Sequence, residues 1–202
     1  MLEVLKPLYN AALMPIAGVL AKLKIHPNVI TTIGLAISCI VGWFAALGKW
    51  KPAALFILAG ACMDGLDGLV ARTYNKKSAF GAIFDSAADR LSEIFWLMGI
   101  LFFFVSRMSW GVAPIYFCFA AITGALTVSY VRARCEGENI PCTKGILQRP
   151  ERTIILIGCF IGGPRIMIGG LAVIAVLAYV TVIQRLIIAY SISTRENTRS
   201  TL

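Results

Sequence analysis

Charged residues are absent from three stretches of the chain, 30–48, 109–131 and 166–184. Each reaches the roughly 17 to 25 residues a helix needs to cross the hydrocarbon core of a bilayer. Two further segments are apolar over only part of their length, and they mirror one another. In 52–72 the apolar part comes first and Asp64, Asp67 and Arg72 follow; in 79–106 the acids Asp85, Asp89 and Glu93 come first. As two helices joined by the short link 73–78, they are predicted to bring their polar ends together on one side of the membrane. A sixth span, 152–164, is shorter than the others. Ahead of them all, 2–24 mixes apolar residues with Glu3, Lys6, Pro7, Pro15 and terminal lysines. It lacks the basic start and cleavage site of a signal peptide and reads as a helix lying in the interface.

The pattern therefore predicts an all-α integral membrane protein with six transmembrane helices preceded by an N-terminal amphipathic interfacial helix. Its expected organisation is a juxtamembrane helix (1–24), a six-helix domain (25–192) and a polar tail (193–202) rich in Ser, Thr and Arg and expected to be disordered. Composition agrees: 58% of the 202 residues are hydrophobic and only 14% charged, against about 25% charged in an average soluble domain. With six spans, fourteen of the 19 Lys and Arg fall on one side, which places both termini and the acid-bearing helix ends in the cytoplasm. The net charge of +9 is spread over loops and forms no aromatic-interleaved stripe, so it points away from nucleic acid. Anionic headgroups and phosphorylated substrates suit it better. The six cysteines form no C-x-x-C pair; Cys135 and Cys142 bracket a loop and are near enough in sequence to pair.

All four aspartates of the chain, Asp64, Asp67, Asp85 and Asp89, fall within one stretch of 26 residues. At roughly 100° per residue, Asp64, Asp67, Gly68 and Ala71 share one arc of a helix, while Gly81, Asp85 and Asp89 form a stripe at i, i+4 spacing on the next. Four carboxylates in a partly dry cavity repel one another unless a cation offsets them. Oxygen-only ligands favour hard divalent ions, Mg²⁺, Mn²⁺ or Ca²⁺, over Zn²⁺, and a bridging aspartate accommodates two of them. The small residues Gly68, Ala71 and Gly81 let a flat base or a phosphate approach the backbone. Two other readings stand beside this one. The small residues can serve helix packing with the acids as caps, and intramembrane acids also mark ion transporters.

The order Asp64-Gly65-Leu66-Asp67-Gly68-Leu69-Val70-Ala71-Arg72, then eight residues, Gly81, three, Asp85, three, Asp89, resembles the D-x-x-D-G-x-x-A-R-x(8)-G-x(3)-D-x(3)-D signature of the CDP-alcohol phosphotransferases at every fixed position. The resemblance implies six transmembrane helices behind an amphipathic one, and commonly a homodimer. It implies that Asp64, Asp67, Asp85 and Asp89 hold two divalent ions, Mg²⁺ or Mn²⁺, against the diphosphate of a CDP-linked lipid, with Asp89 also the catalytic base. Gly68, Ala71, Arg72, Gly81, Ser78 and Asp64 would then line the cytidine nucleotide site, joined by Asn28 and Thr31 from a Pro-Asn-x-x-Thr element at Pro27. The implied reaction transfers a lipid phosphate to an acceptor hydroxyl and releases CMP. The absence of an evident Ser-His or Cys-His pair favours direct displacement over a covalent intermediate.

The segment 129–152 holds five of the 19 basic residues, Arg132, Arg134, Lys144, Arg149 and Arg152. Arginine forks bind phosphate bidentately, so the cluster suggests a phosphorylated acceptor, although any short cytoplasmic loop gathers Lys and Arg. The stretch resembles the S-Y-x-[KR]-A-R-A-E and R-P-E-R elements of phosphatidylinositol-phosphate and archaetidylinositol-phosphate synthases, with Cys135 in place of an alanine. That resemblance puts Ser129, Arg132, Arg152 and Arg185 around the phosphate of inositol 1-phosphate, with Lys144, Arg134 and Arg149 as second choices. Glycerol 3-phosphate is an equally anionic polyol and the alternative acceptor. His26, the only histidine, is expected at the membrane boundary, and Glu93, four residues beyond Asp89, is expected to tune the acid site from behind.

Overall fold

The computed structural model describes residues 6–73, 78–142 and 144–200, and these residues form seven α-helices and no strand. They are α1 (Lys6–Lys22), α2 (Pro27–Ala46), α3 (Trp50–Thr73), α4 (Ala79–Val105), α5 (Ala113–Gly137), α6 (Arg149–Gly162) and α7 (Pro164–Ser200), with a short 3₁₀ turn at Met108–Trp110. Four of them are long and apolar enough to cross a membrane: Pro27–Ala46, Trp50–Thr73, Ala113–Gly137 and Pro164–Thr194. The two other expected spans differ for separate reasons. Helix α4 has the length, but Asp85, Asp89, Arg90 and Glu93 crowd its first half. Helix α6 has only 14 residues, about 21 Å at the helical rise. It ends where Gly163 takes a positive φ of 82° and Pro164 starts the next helix, a combination that stops one helix and begins another.

The helices gather into two compact units, one ending at Ser106 and the other beginning at Arg107. In the first, α3 and α4 both pack along α2, and α1 packs on α3. In the second, α5 and α6 both pack along α7. The two acid-bearing helices share α2 as their packing partner. Helix α1 is apolar on two faces. Leu13 and Ala17 are buried with Ile30 of α2 and Leu66, Leu69 and Val70 of α3, while Met14, Ile16 and Val19 are exposed. Exposed Trp43, Leu55, Phe102, Tyr116, Phe119 and Val176 along the helices make an outer surface that water would not tolerate and lipid would. At the other end of the chain, α7 continues as helix to Ser200, through most of the tail expected to lack structure. No Pro or Gly interrupts it there. Residues 1–5 and 201–202 of the expected terminal segments lie outside the described residues.

Close approach in the first unit depends on missing side chains. A Cβ added to Gly99 of α4 would run into the backbone of Gly42 in α2, and one added to Gly42 would meet the carbonyl of Phe95 at 2.5 Å. The two helices touch main chain to main chain. Gly158, by contrast, has no neighbour within 4 Å of an added Cβ. Gly99→Ala is therefore expected to cost ~1–3 kcal/mol and to lower the thermal midpoint of the detergent-solubilised protein by roughly 2–10 °C. Gly158→Ala should leave the midpoint within about 2 °C of wild type; a fluorescence-detected melt of the three proteins checks both.

Candidate active site

The acid site is built around the first turn of α2. His26 precedes that turn in extended backbone and its side chain accepts the N–H of Asn28 at Nδ1 (3.2 Å), with Pro27 opening the helix. The interfacial histidine of the sequence is thus the N-cap of α2. The Thr31 hydroxyl donates to Asp67 Oδ2 at 2.6 Å, with the carbonyl of Pro27 3.2 Å away. The other oxygen of Asp67 accepts the N–H of Gly68. Asp67 is 4% exposed, so these bonds take the place of water on a carboxylate. Asp67 also interacts through its charge with Asp85 and Asp64.

A cavity of about 230 Å³ opens at this point, lined by Pro27, Asn28, Thr31, Asp67, Gly68, Ala71, Arg72, Ser78, Gly81, Ala82 and Asp85. Three helices meet there: the start of α2, the end of α3 and the start of α4. Small residues and a helix cap shape its wall. Ser78 N-caps α4 by accepting the Gly81 N–H at 2.9 Å, and a Cβ on Gly81 would meet the Ser78 hydroxyl at 2.9 Å and Asn28 Oδ1 at 3.3 Å. The Arg72 guanidinium lies 3.5 Å from where a side chain on Gly68 would begin. The cavity thus gathers Asn28, Thr31, Gly68, Ala71, Arg72, Ser78 and Gly81, all assigned to nucleotide binding, together with Asp67 and Asp85.

Asp64 and Asp89 are not part of this lining. Asp64 is half-buried, its Oδ1 3.6 Å from the position of a Cβ on Gly34 of α2, and Asp89 is half-buried on α4. Glu93, one turn further, is buried. Among the described residues, no three Asp, Glu, Cys or His side chains close on one point as a finished metal cage. The convergence of four carboxylates that the sequence suggested is therefore looser than a closed site. The donor set still suits a hard divalent ion, because Mg²⁺ and Mn²⁺ take one or two carboxylates, keep several waters and complete their shells with substrate phosphate. Asp67, oriented by Thr31, and Asp85 across the cavity fit that open kind of site.

Tyr9 was not found from the sequence. Its hydroxyl donates to the carbonyl of Ala61 at 2.7 Å, and its ring lies over Gly65. Burial, followed by the neighbouring Cys62, Asp64 and Asp67, pushes the Tyr9 phenol up to about 12, so it remains a hydrogen-bond donor. Nothing in the spacing of α1 signals this contact, since it depends on which face of α3 the helix meets.

In the second unit the arginines assigned to the acceptor divide into buried and exposed. Arg152 and Arg185 are 1% and 2% exposed. Arg185 spans three elements: Nη1 donates to the Val128 carbonyl of α5 at 2.6 Å and Nε to the Lys144 carbonyl of the following loop at 3.3 Å. Arg152 turns back to the Leu147 carbonyl at 3.3 Å. Arg132 pairs with Glu136 at 2.8 Å in an exposed i, i+4 bridge, as Arg134 does with Glu138. Arg185 nevertheless feels the charges of both Arg132 and Arg152, so the three guanidinium groups belong to one neighbourhood. Ser129 is half-buried on α5, Lys144 is exposed and Arg149 is half-buried.

The loop carrying this cluster is held by side chains rather than by regular structure. Leu147 N–H donates to Thr181 Oγ1 at 3.0 Å and Ile146 N–H to Gln184 Oε1 at 3.2 Å. Gln148 and Glu151 form a reciprocal capping box at the start of α6. Cys135 and Cys142 are buried free thiols, and Cys142 donates to the Arg185 carbonyl at 3.4 Å.

Comparison with known proteins places this arrangement. The chain is 34% identical to the archaetidylinositol phosphate synthase of Methanothermobacter thermautotrophicus over 191 residues, 93% of each chain. It is 31% identical to the phosphatidylinositol phosphate synthase of Mycobacterium tuberculosis over 186 residues, covering 85% of this chain and 82% of that one. A crystal structure of phosphatidylinositol phosphate synthase from Mycobacterium tuberculosis with CDP-DAG bound superposes with a TM-score of 0.80 at 27% identity, over 87% of this chain and 92% of that one. The same protein in complex with manganese and citrate gives a TM-score of 0.79 at 27% identity, over 87% and 88%. The CDP-alcohol phosphatidyltransferase family model matches residues 24–194. With the acid motif, the cavity it lines and these matches spanning most of its length, the chain belongs to the CDP-alcohol phosphatidyltransferase family and is a transferase of that class.

Proposed function

We propose that this transferase moves a lipid phosphate from a CDP-linked lipid to a hydroxyl of inositol 1-phosphate, releasing CMP. The observation that carries the acceptor assignment is the neighbourhood of Arg132, Arg152 and Arg185, two of them buried. Buried guanidinium groups near a third arginine favour an anion beside them, and a phosphate monoester is the anion that planar arginine forks accept best. The names of the synthases at 31–35% identity support the same acceptor. Family membership as a transferase displaces the ion-transport reading of the acids.

In this reading Asp64, Asp67, Asp85 and Asp89 hold two divalent ions. Such ions, when bound, would spread the charge of the donor diphosphate. Asn28, Thr31, Gly68, Ala71, Arg72, Ser78 and Gly81 receive the cytidine nucleotide, the glycines and alanine by leaving room at the backbone. Asp89 takes the proton of the acceptor hydroxyl as it attacks the lipid-side phosphorus. Ser129, Arg132, Arg152 and Arg185 orient the acceptor phosphate. The enzyme works as a homodimer, its six helices α2–α7 cross the cell membrane behind an interfacial α1, and its termini and active site face the cytoplasm, as the distribution of Lys and Arg favours.

Purified enzyme offered a CDP-linked lipid with labelled inositol 1-phosphate, glycerol 3-phosphate or serine should use the first; exclusive use of glycerol 3-phosphate or serine defeats the assignment. Chelation should abolish CMP release, and Mg²⁺ or Mn²⁺ should restore it. Asp85→Asn should lower CMP release by roughly a hundredfold or more at saturating substrates while the protein still purifies as folded. Arg152→Lys should raise the KM for the acceptor by about tenfold, the loss of one charge-assisted bidentate contact, and leave the KM for the CDP-lipid within about twofold of wild type. A KM change confined to the CDP-lipid would assign the arginine to the donor instead.

A further inference from the structure

We propose that Tyr9 is a positioning residue that fixes the Asp64–Asp67 turn of α3 for divalent cation binding; the proposal rests on the assignment of those aspartates as metal ligands. The contact has two parts that reinforce each other. The Tyr9 hydroxyl donates to the Ala61 carbonyl at 2.7 Å, and in a helix that carbonyl is the acceptor of the Gly65 N–H. The tyrosine ring and Leu13 fill the space above Gly65, where an added Cβ would collide with both. Hydroxyl and ring therefore grip the same rung of α3, and that rung lies between Asp64 and Asp67.

The rest of α1 grips less specifically. Leu13 and Ala17 pack against Leu66, Leu69 and Val70, and apolar contact of this kind is non-directional, permitting sliding and rotation at little cost. A hydrogen bond seated over a glycine notch does not permit it, because both the donor–acceptor distance and the ring contact are lost on a shift of about 1 Å. On α3 Gly65 points roughly 100° away from Asp64 and 160° away from Asp67. Helix α1 thus presses on α3 from the side, leaving the acids turned toward the first turns of α2, at Thr31 and Gly34. Tyr9 feels the charges of both Asp64 and Asp67, so it stands close to the carboxylates without occupying the cavity. Its effect is carried through the backbone of α3: an open site of few carboxylates has no ligands to spare, and a small displacement of the turn weakens it directly.

The test is cation binding measured apart from turnover. Mn²⁺ binding to the full-length protein in detergent, without substrate, is followed by the paramagnetic resonance signal of free Mn²⁺ for wild type, Tyr9→Phe, Gly65→Ala and Asp67→Asn. Tyr9→Phe keeps the ring and removes only the hydroxyl. Its half-saturating Mn²⁺ concentration should rise by roughly tenfold, with kcat at saturating Mn²⁺ within about twofold of wild type and the metal-free thermal midpoint within about 2 °C. Gly65→Ala, which expels the ring, should shift half-saturation in the same direction. Binding lost in Asp67→Asn but unmoved in Tyr9→Phe overturns the proposal and leaves the aspartate assignment standing. Binding that survives intact in Asp67→Asn overturns both. If Gly65→Ala fails to fold, Tyr9→Phe alone decides.

Discussion

Everything at the acid site follows from the problem of keeping a carboxylate inside a helix bundle that belongs in lipid. Asp67 is almost wholly buried, and a buried charge is tolerable only where hydrogen bonds replace the water it has lost. Thr31 and the Gly68 N–H supply those bonds. That requirement ties α3 to the first turn of α2, and the start of α4 closes on the same turn through Asn28, Ser78 and Gly81. The cavity is the space left where three helix ends meet.

The hub helix makes that geometry possible. Because α3 and α4 both pack along α2, the two acid-bearing stripes face a common element and approach across it. The main-chain contact of Gly42 with Gly99 sets how closely α4 can lie to α2. The second unit repeats the logic with the opposite charge. Arg185 binds main-chain carbonyls of α5 and of the loop before α6, and Thr181 and Gln184 of α7 bind that loop's N–H groups. One helix thereby organises a loop that has no ladder of its own.

Much of this was legible in the sequence. The positions of the helices, the spacing of the aspartates and the glycines beside them follow from local rules: an apolar run fixes a helix in lipid, and the 3.6-residue repeat fixes which side chains share a face. Residues 64–89 therefore pointed to the family that the comparisons show. Helix α6 was anticipated at nearly its true extent, though at 14 residues its length alone does not mark it as a span.

What the sequence could not determine is who stands next to whom. That Thr31 serves Asp67, that α3 and α4 both pack along α2, that Asp64 and Asp89 stay outside the cavity while Asp67 and Asp85 line it, and that Tyr9 presses on Gly65 all depend on the rotation and depth at which one helix meets another. Periodicity assigns a face to each side chain but no partner to that face; partners are chosen by packing over the whole helix, and here by the few places where a glycine lets backbones touch.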